Sequence, residues 1–285
     1  MAIIGAGRVG VAFGVLLERA GYHVVAASGR RASFERVRRY LPFAKFLQPN
    51  EASDAADVVL FAVPDDLIGP GCAAMAGQDA FRSGQFVIHT SGAVGLDALE
   101  PAAEAGAEIL SAHPLQSFPE VADGIERLPG SAIGVTARTE RAAAFGEEVA
   151  RAVGGEPFAV AEDVMPIYHA AAVFCSNYLV VVEGLAEELF GLAGVEDGLA
   201  KAGPLARTAF EAVMARGAAA ALTGPAARGD VGTVVRSLDA LADRAPDAAR
   251  AYAALAREAA RLASMGGKLS DEGRRKLEEA LDRWR

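Results

Sequence analysis

The run Gly5-Ala6-Gly7-Arg8-Val9-Gly10, set directly after the apolar Ala2-Ile3-Ile4, constrains this chain more than any other feature. A short strand that feeds a Gly-x-Gly-x-x-Gly turn into a helix predicts the first βαβ unit of a doubly wound sheet and a dinucleotide-binding turn. Each glycine has its own reason. Gly5 allows the tight turn, Gly7 lets backbone approach a pyrophosphate, and Gly10 permits close packing of helix on strand. The helix that starts at Arg8 and Val9 then turns its N-terminal N–H groups toward the negative charge. Val9, Phe13, Leu16 and Leu17 follow at helical spacing, and Gly21 stops the helix.

Beyond this unit, β-branched runs alternate with helical patterns to about residue 160. Strands are expected at 2–5, 23–28, 58–63, 86–90, 108–112, 132–135 and 157–160, with helices at 32–40, 65–75 and 140–153. After residue 162 the strand signals stop. Ala-, Leu- and Glu-rich helical patterns follow at 164–192, 199–221, 231–244 and 246–264, and the first of these is apolar enough to be expected as a buried helix. The fold class is therefore α/β: a doubly wound, mostly parallel Rossmann sheet over 1–161, followed by an all-α C-terminal domain over 162–285. The Gly/Pro-rich piece 222–230 reads as a loop between helices.

The second expected strand ends in Ser28-Gly29-Arg30-Arg31. An NAD site usually carries Asp or Glu here to accept from the ribose 2′-hydroxyl. In its place stand two guanidiniums, suited to a 2′-phosphate through charge-assisted hydrogen bonds. The expected cofactor is NADP(H), held by Gly5, Gly7, Arg8, Val9, Gly10, Ser28, Arg30 and Arg31. Val63-Pro64, at the carboxyl end of the next strand, should line the nicotinamide-side ribose.

A formal net charge of -9 argues against nucleic-acid and anionic-membrane surfaces, both of which need a basic footprint. Cys72 and Cys175 make neither a disulfide framework nor a metal spacing, so no metal site is expected and both thiols read as buried. The apolar stretch 170–182 is broken by Ser176 and Asn177, and residues 1–4 run straight into the glycine turn. No membrane anchor and no signal peptide are expected, and the cytoplasm is the expected compartment.

Hydride transfer to a carbonyl or imine needs a proton donor and groups that hold the substrate. His169 and Ser176 lie about 20° apart on a helical wheel, with Asn177 beside them. His169 is the expected acid, Asn177 its companion and His113 the rival donor. Ser91, His113, Ser117 and Ser176 are the expected substrate contacts. His23 reads as structural.

GAGRVG, SGRR and VPDD, followed by SAHPLQSF, YHAAAVFCSNYL and LTGPAARGD, resemble the bacterial Rossmann-like proteins that carry a DUF2520 helical domain. The resemblance spans nearly the whole chain. That family is similar in architecture to 6-phosphogluconate dehydrogenases, β-hydroxyacid dehydrogenases, ketopantoate reductases and pyrroline-5-carboxylate reductases. It implies an NADP-linked reductase of a small carboxylate and a homodimer formed through the helical domain. Ketopantoate reductases and β-hydroxyacid dehydrogenases place a Lys on the first helix of the second domain, where this chain has His169. The expected function is NADPH-dependent reduction of a small 2-oxo acid such as ketopantoate, with reduction of a cyclic imine and NADP(H) binding without catalysis as the alternatives.

Overall fold

A computed structural model describes residues 1–284, which form two compact units, one of Met1–Asn177 and one that begins at Tyr178. The first unit is built on an eight-stranded sheet: β1 (Ala2–Ile4), β2 (Ala26–Ser28), β3 (Lys45–Phe46), β4 (Val58–Phe61), β5 (Phe86–His89), β6 (Glu108–Pro114), β7 (Ala132–Ala137) and β8 (Glu156–Ala159). Their spatial order is β3-β2-β1-β4-β5-β6-β7-β8, parallel throughout except for the antiparallel β6–β7 pair. All seven expected strands are present. The additional one, β3, has two residues and too little pattern to signal itself.

Around the sheet lie α1 (Arg8–Arg19), α2 (Phe34–Tyr40), α3 (Pro49–Asp54), α4 (Ile68–Ala76), α5 (Glu100–Glu104), α6 (Val121–Arg127) and α7 (Glu140–Ala152), followed by α8 (Met165–Cys175). The central strands are apolar on both faces because helices cover both. Val59, Phe61, Val87 and Ile109 pack with Ile68, Cys72 and Met75 of α4. Leu60, Ile88 and Leu110 point the other way, onto Phe13, Leu16 and Leu17 of α1 and Ala142 and Val149 of α7. The chain reverses its winding between β1 and β4, so the loops after these two strands flank the crevice where ligands of such sheets sit.

The second unit contains most of α9 (Asn177–Leu192), then α10 (Gly198–Arg216), α11 (Ala218–Ala221), α12 (Val231–Ala242), α13 (Pro246–Met265) and α14 (Asp271–Leu281). Its core is a stripe of small residues on α13, Ala249, Ala253, Ala256, Ala260 and Ala263, against Val234 and Leu238 of α12 and Leu277 and Leu281 of α14. Steps of four and three residues keep the stripe on one face, and alanine lets neighbouring helices approach closely. The polar α14 has the largest apolar moment of these helices, opened by a Ser270 cap that accepts from the Gly273 N–H.

The expected helix at 164–192 differs from expectation in two ways. It is two helices, interrupted at Ser176 where the backbone leaves helical angles (φ −125°, ψ −72°). It is also unburied: the run Glu162–Leu192 is long and apolar enough to cross a membrane by length and composition, yet only 6% of its most apolar stretch is covered. Cys175, expected buried, is exposed for the same reason, whereas Cys72 is buried in the sheet's core and its thiol is pushed up to about 11 by that burial.

Candidate active site

The glycine turn forms one wall of a cavity of about 890 Å3 at the carboxyl ends of β1 and β4. Gly5 sits at φ +98°, and a Cβ there would lie 2.5 Å from the Ala62 carbonyl oxygen. Its N–H and that of Ala6 donate to the Ser28 carbonyl at 3.0 and 2.8 Å, tying the turn to β2. A Cβ on Gly10 would strike the Gly5 oxygen at 2.5 Å and Ile3 at 2.9 Å, so this glycine serves packing and lies off the cavity. Gly7 is different. No atom outside its chain neighbours comes nearer than 3.9 Å to a Cβ built there, so nothing in the fold itself demands glycine. What it keeps clear is the cavity, at the N-terminus of α1, which has no side-chain cap and no acidic residue in its first turn. Such an opening fits a pyrophosphate.

Arg8, Val9, Ser28, Arg30, Val63 and Pro64 join Gly5 and Gly7 in the lining, as expected. Arg31 does not: it opens the 3-10 turn Arg31–Ser33 and is exposed to solvent. Arg36 of α2 takes its place in the wall, with Nη1 donating to the Ala6 carbonyl at 3.0 Å. Its sequence signal is slight, because only the turn ahead of α2 decides which guanidinium faces inward.

A second cavity, of about 680 Å3, lies at the carboxyl end of β6 within the same unit. His113, Ser117, His169, Ser176 and Asn177 all line it, together with Phe158 and Tyr168. The expected Ser91 does not. It is buried, its hydroxyl accepts from the Ala93 and Val94 N–H groups at 3.1 Å, and its N–H donates to His89 Nδ1 at 3.2 Å.

Tyr168 is the residue that the sequence pattern did not single out. Its hydroxyl lies 2.8 Å from His113 Nδ1, and the two rings meet edge to face. His169 stands beside them, its ring centroid 5.9 Å from that of His113. Two glycines make room for the pair. Gly134 is the direct partner of His113 across the β6–β7 ladder, and a Cβ there would come within 2.8 Å of the Tyr168 hydroxyl. Gly92 underlies the imidazole, where a Cβ would come within 2.6 Å of Nδ1.

The start of α8 is anchored by Glu162. Its carboxylate accepts from Arg138 Nε and Nη2, each at 2.8 Å, and from the Leu96 N–H at 2.9 Å. Arg138 also pairs with Glu100 at 2.7 Å and with Asp97. Burial, reinforced by His169, pushes His113 down to about 4, against an opposing pull from Asp65. Burial pushes Tyr168 up to about 12. At neutral pH the imidazole is thus neutral and the phenol keeps its proton.

Residues 1–114 match the Rossmann-like domain family, and residues 131–259 match DUF2520, a domain of unknown function. The chain is a Rossmann-like protein with a DUF2520 domain. His113 and Gly92 belong to the Rossmann-like stretch, and Gly134, Tyr168, His169, Ser176 and Asn177 to the DUF2520 stretch, so the two matched segments meet in one hydrogen bond. No curated protein sequence matches the chain.

The Rossmann–DUF2520 chain shares its fold with several solved structures. One is a candidate NADP oxidoreductase from Bacteroides fragilis, 21% identical, with 91% of this chain and 97% of that chain covered at a TM-score of 0.76. Another is a variant imine reductase from Myxococcus stipitatus in complex with NAD+, 17% identical, with coverage of 97% and 98% and a TM-score of 0.65. A third is a reductive aminase from Aspergillus terreus in complex with NADPH and ethyl-5-oxohexanoate, 17% identical, with coverage of 99% and 92% and a TM-score of 0.60.

Proposed function

We propose that this protein is an NADP(H)-dependent oxidoreductase that reduces the C=O or C=N group of a small substrate. The observation that carries the reading is the placement of two cavities at the carboxyl ends of strands of one sheet, with Ser117 in the lining of one and Phe118 in the lining of the other. The glycine cradle and the Val63-Pro64 turn line the first, and His113 with Tyr168 the second. Asp65, next after that turn, is near enough to act on the His113 imidazole. Solved relatives of this fold include an aminase in complex with NADPH and an imine reductase, which supports the same class.

In this reading the first-turn N–H groups of α1 hold the pyrophosphate, and Arg30 and Arg36 hold the 2′-phosphate. The bound nicotinamide supplies a hydride to the substrate's electrophilic carbon. The protein's own part is orientation and proton supply. Tyr168, protonated at neutral pH, donates to the substrate heteroatom, and His113 holds the phenol in place. A developing alkoxide is a much stronger base than a phenolate and would take the Tyr168 proton. His169 flanks this point as a second donor, while Ser117, Ser176 and Asn177 position the substrate. The test is a spectrophotometric screen of NADPH oxidation over small oxo acids, ketones and cyclic imines, with NADH in parallel. Turnover of at least one acceptor that collapses in Tyr168→Phe is expected. Tight NADPH binding with no acceptor in the panel would leave the non-catalytic reading standing instead.

We also propose that the protein is a cytoplasmic homodimer joined through its helical unit. Val180 and Val181 on α9 and Leu205, Phe210 and Met214 on α10 are all more than half exposed, so both helices carry uncovered apolar side chains. A second copy of the chain covers them in this reading. Light scattering of the protein without detergent should give twice the chain mass, and Val180→Asp should give monomer or aggregate. Recovery only in detergent would assign the surface to lipid.

A further inference from the structure

His89 occupies a place in the sheet that suits an apolar side chain. It is the last residue of β5 and is fully buried; Phe61 is its direct partner in β4, and Val87 precedes it on the same face. Both of these pack as core with α4. An imidazole in such surroundings is costly. Burial pushes its pKa down to about 4 and keeps it neutral. Because Nδ1 accepts the Ser91 N–H at 3.2 Å, the ring's single proton is on Nε2, which has no hydrogen-bond partner among the described residues. A buried donor left unpaired costs stability that a leucine of similar volume would not. Core packing therefore does not account for His89.

What the imidazole does is visible in the turn that follows. The ladder between β4 and β5 ends with Thr90, whose N–H donates to the Phe61 carbonyl at 3.2 Å. Ser91 then gives both of its main-chain polar groups to side chains: its N–H donates to His89, and its carbonyl accepts from Ser111 Oγ at 2.8 Å. Its own hydroxyl accepts from the Ala93 and Val94 N–H groups at 3.1 Å. Gly92 is held between these bonds, and the His113 ring rests against it: a Cβ at 92 would lie 2.6 Å from Nδ1, 2.7 Å from Cε1 and 2.8 Å from Cγ. The same Nδ1 meets the Tyr168 hydroxyl at 2.8 Å. A displaced Gly92 would free the imidazole to turn away from the phenol.

We infer that His89 is a positioning residue of the candidate active site: by accepting the Ser91 N–H it seats Gly92 under the His113 ring and so keeps Nδ1 at the Tyr168 hydroxyl. His89 is not among the residues lining either cavity, so it acts through these bonds alone. Its effect on turnover rests on the reductase reading above, whereas its effect on the His113–Tyr168 bond does not.

Two substitutions in the full-length protein separate the acceptor from the ring. An Asn amide oxygen can take the place of Nδ1, whereas Leu fills a similar volume without an acceptor. The nitrogen chemical shift of His113 Nδ1, read by NMR in protein labelled at its four histidines, reports the bond to Tyr168, with Tyr168→Phe as the reference for its loss. We expect His89→Asn to keep the wild-type shift and His89→Leu to move to that of Tyr168→Phe. On an acceptor that is turned over, kcat should fall at least tenfold in His89→Leu and less than threefold in His89→Asn, with the Kd for NADPH unchanged in both. In a Tyr168→Phe background His89→Leu should cost nothing more. Ser53→Ala, which removes a buried hydrogen bond to the Ala80 carbonyl, controls for lost stability and should leave both readouts unchanged. If His89→Leu does not fold, Ser111→Ala, which frees the Ser91 carbonyl, should move the His113 shift in the same direction. A wild-type shift in the Leu or Ala variant, or equal losses in Leu and Asn, overturns the inference. The expected shifts with no acceptor turned over uphold it while removing the reductase reading, so the two fail separately.

Discussion

The Tyr168 hydroxyl reaches His113 Nδ1 at 2.8 Å only because the residue facing His113 across the β6–β7 ladder is Gly134. A methyl group at 134 would lie 2.8 Å from the phenol oxygen, closer than any carbon–oxygen contact tolerates. Gly134→Ala should therefore lower kcat by about tenfold to a hundredfold, within the range of a misplaced acid–base group. In a Tyr168→Phe background, where that oxygen is gone, the same change should cost much less. Kinetics of the four proteins decide the matter. Losses that simply multiply would mean that Gly134 does not act through Tyr168.

Gly7 and Gly10 should part company under the same substitution. Nothing crowds a Cβ at position 7, so Gly7→Ala should leave the melting temperature nearly unchanged while weakening NADPH binding by tenfold or more. Gly10→Ala, blocked at 2.5 Å by the Gly5 oxygen and at 2.9 Å by Ile3, should destabilise the fold by about 1–3 kcal/mol. Calorimetric melting and fluorescence titration on both variants provide the check.

Arg30 and Arg36 line the cavity beside the glycine turn and Arg31 does not. A hydrogen bond to a charged group contributes about 1.5–3 kcal/mol. Arg30→Ala is thus expected to raise the Kd for NADPH by about tenfold to a hundredfold and to leave NADH binding unaffected, with Arg31→Ala close to silent. An unaltered protein that prefers NADH would remove the 2′-phosphate assignment for both guanidiniums.

His89 and His113 are held neutral by the fold, each pushed down from the ordinary 6.5 to about 4, chiefly by burial. Between these values the unfolded chain binds protons that the folded chain refuses. Stability is therefore complete above about pH 6.5 and falls as the pH drops toward 4, by at most about 3 kcal/mol for His89. His89 Nδ1 accepts from the Ser91 N–H, a bond that an Asn oxygen can replace, while Nε2 has no partner among the described residues. His89→Asn should flatten the decline of melting temperature with acid. An unchanged slope would assign the acid sensitivity to other groups.

The glycine fingerprint, the seven expected strands and the change to an all-α second half were legible in the chain itself. These are local properties: which residues tolerate φ above zero, which repeat with period two or 3.6, which stop a helix. Gly5 at φ +98° and the alanine stripe of α13 are such patterns realised in space. The tertiary structure alone decided the rest. His113 and Tyr168 are 55 residues apart and meet because an antiparallel ladder aligns Gly134 with one of them and the Glu162–Arg138 pair anchors the helix that carries the other. Arg36 displaces Arg31, Ser91 turns inward to its own loop, and the apolar run of α8 and α9 remains uncovered within one chain. The direction of a side chain depends on packing against segments distant in sequence, and no local periodicity encodes that.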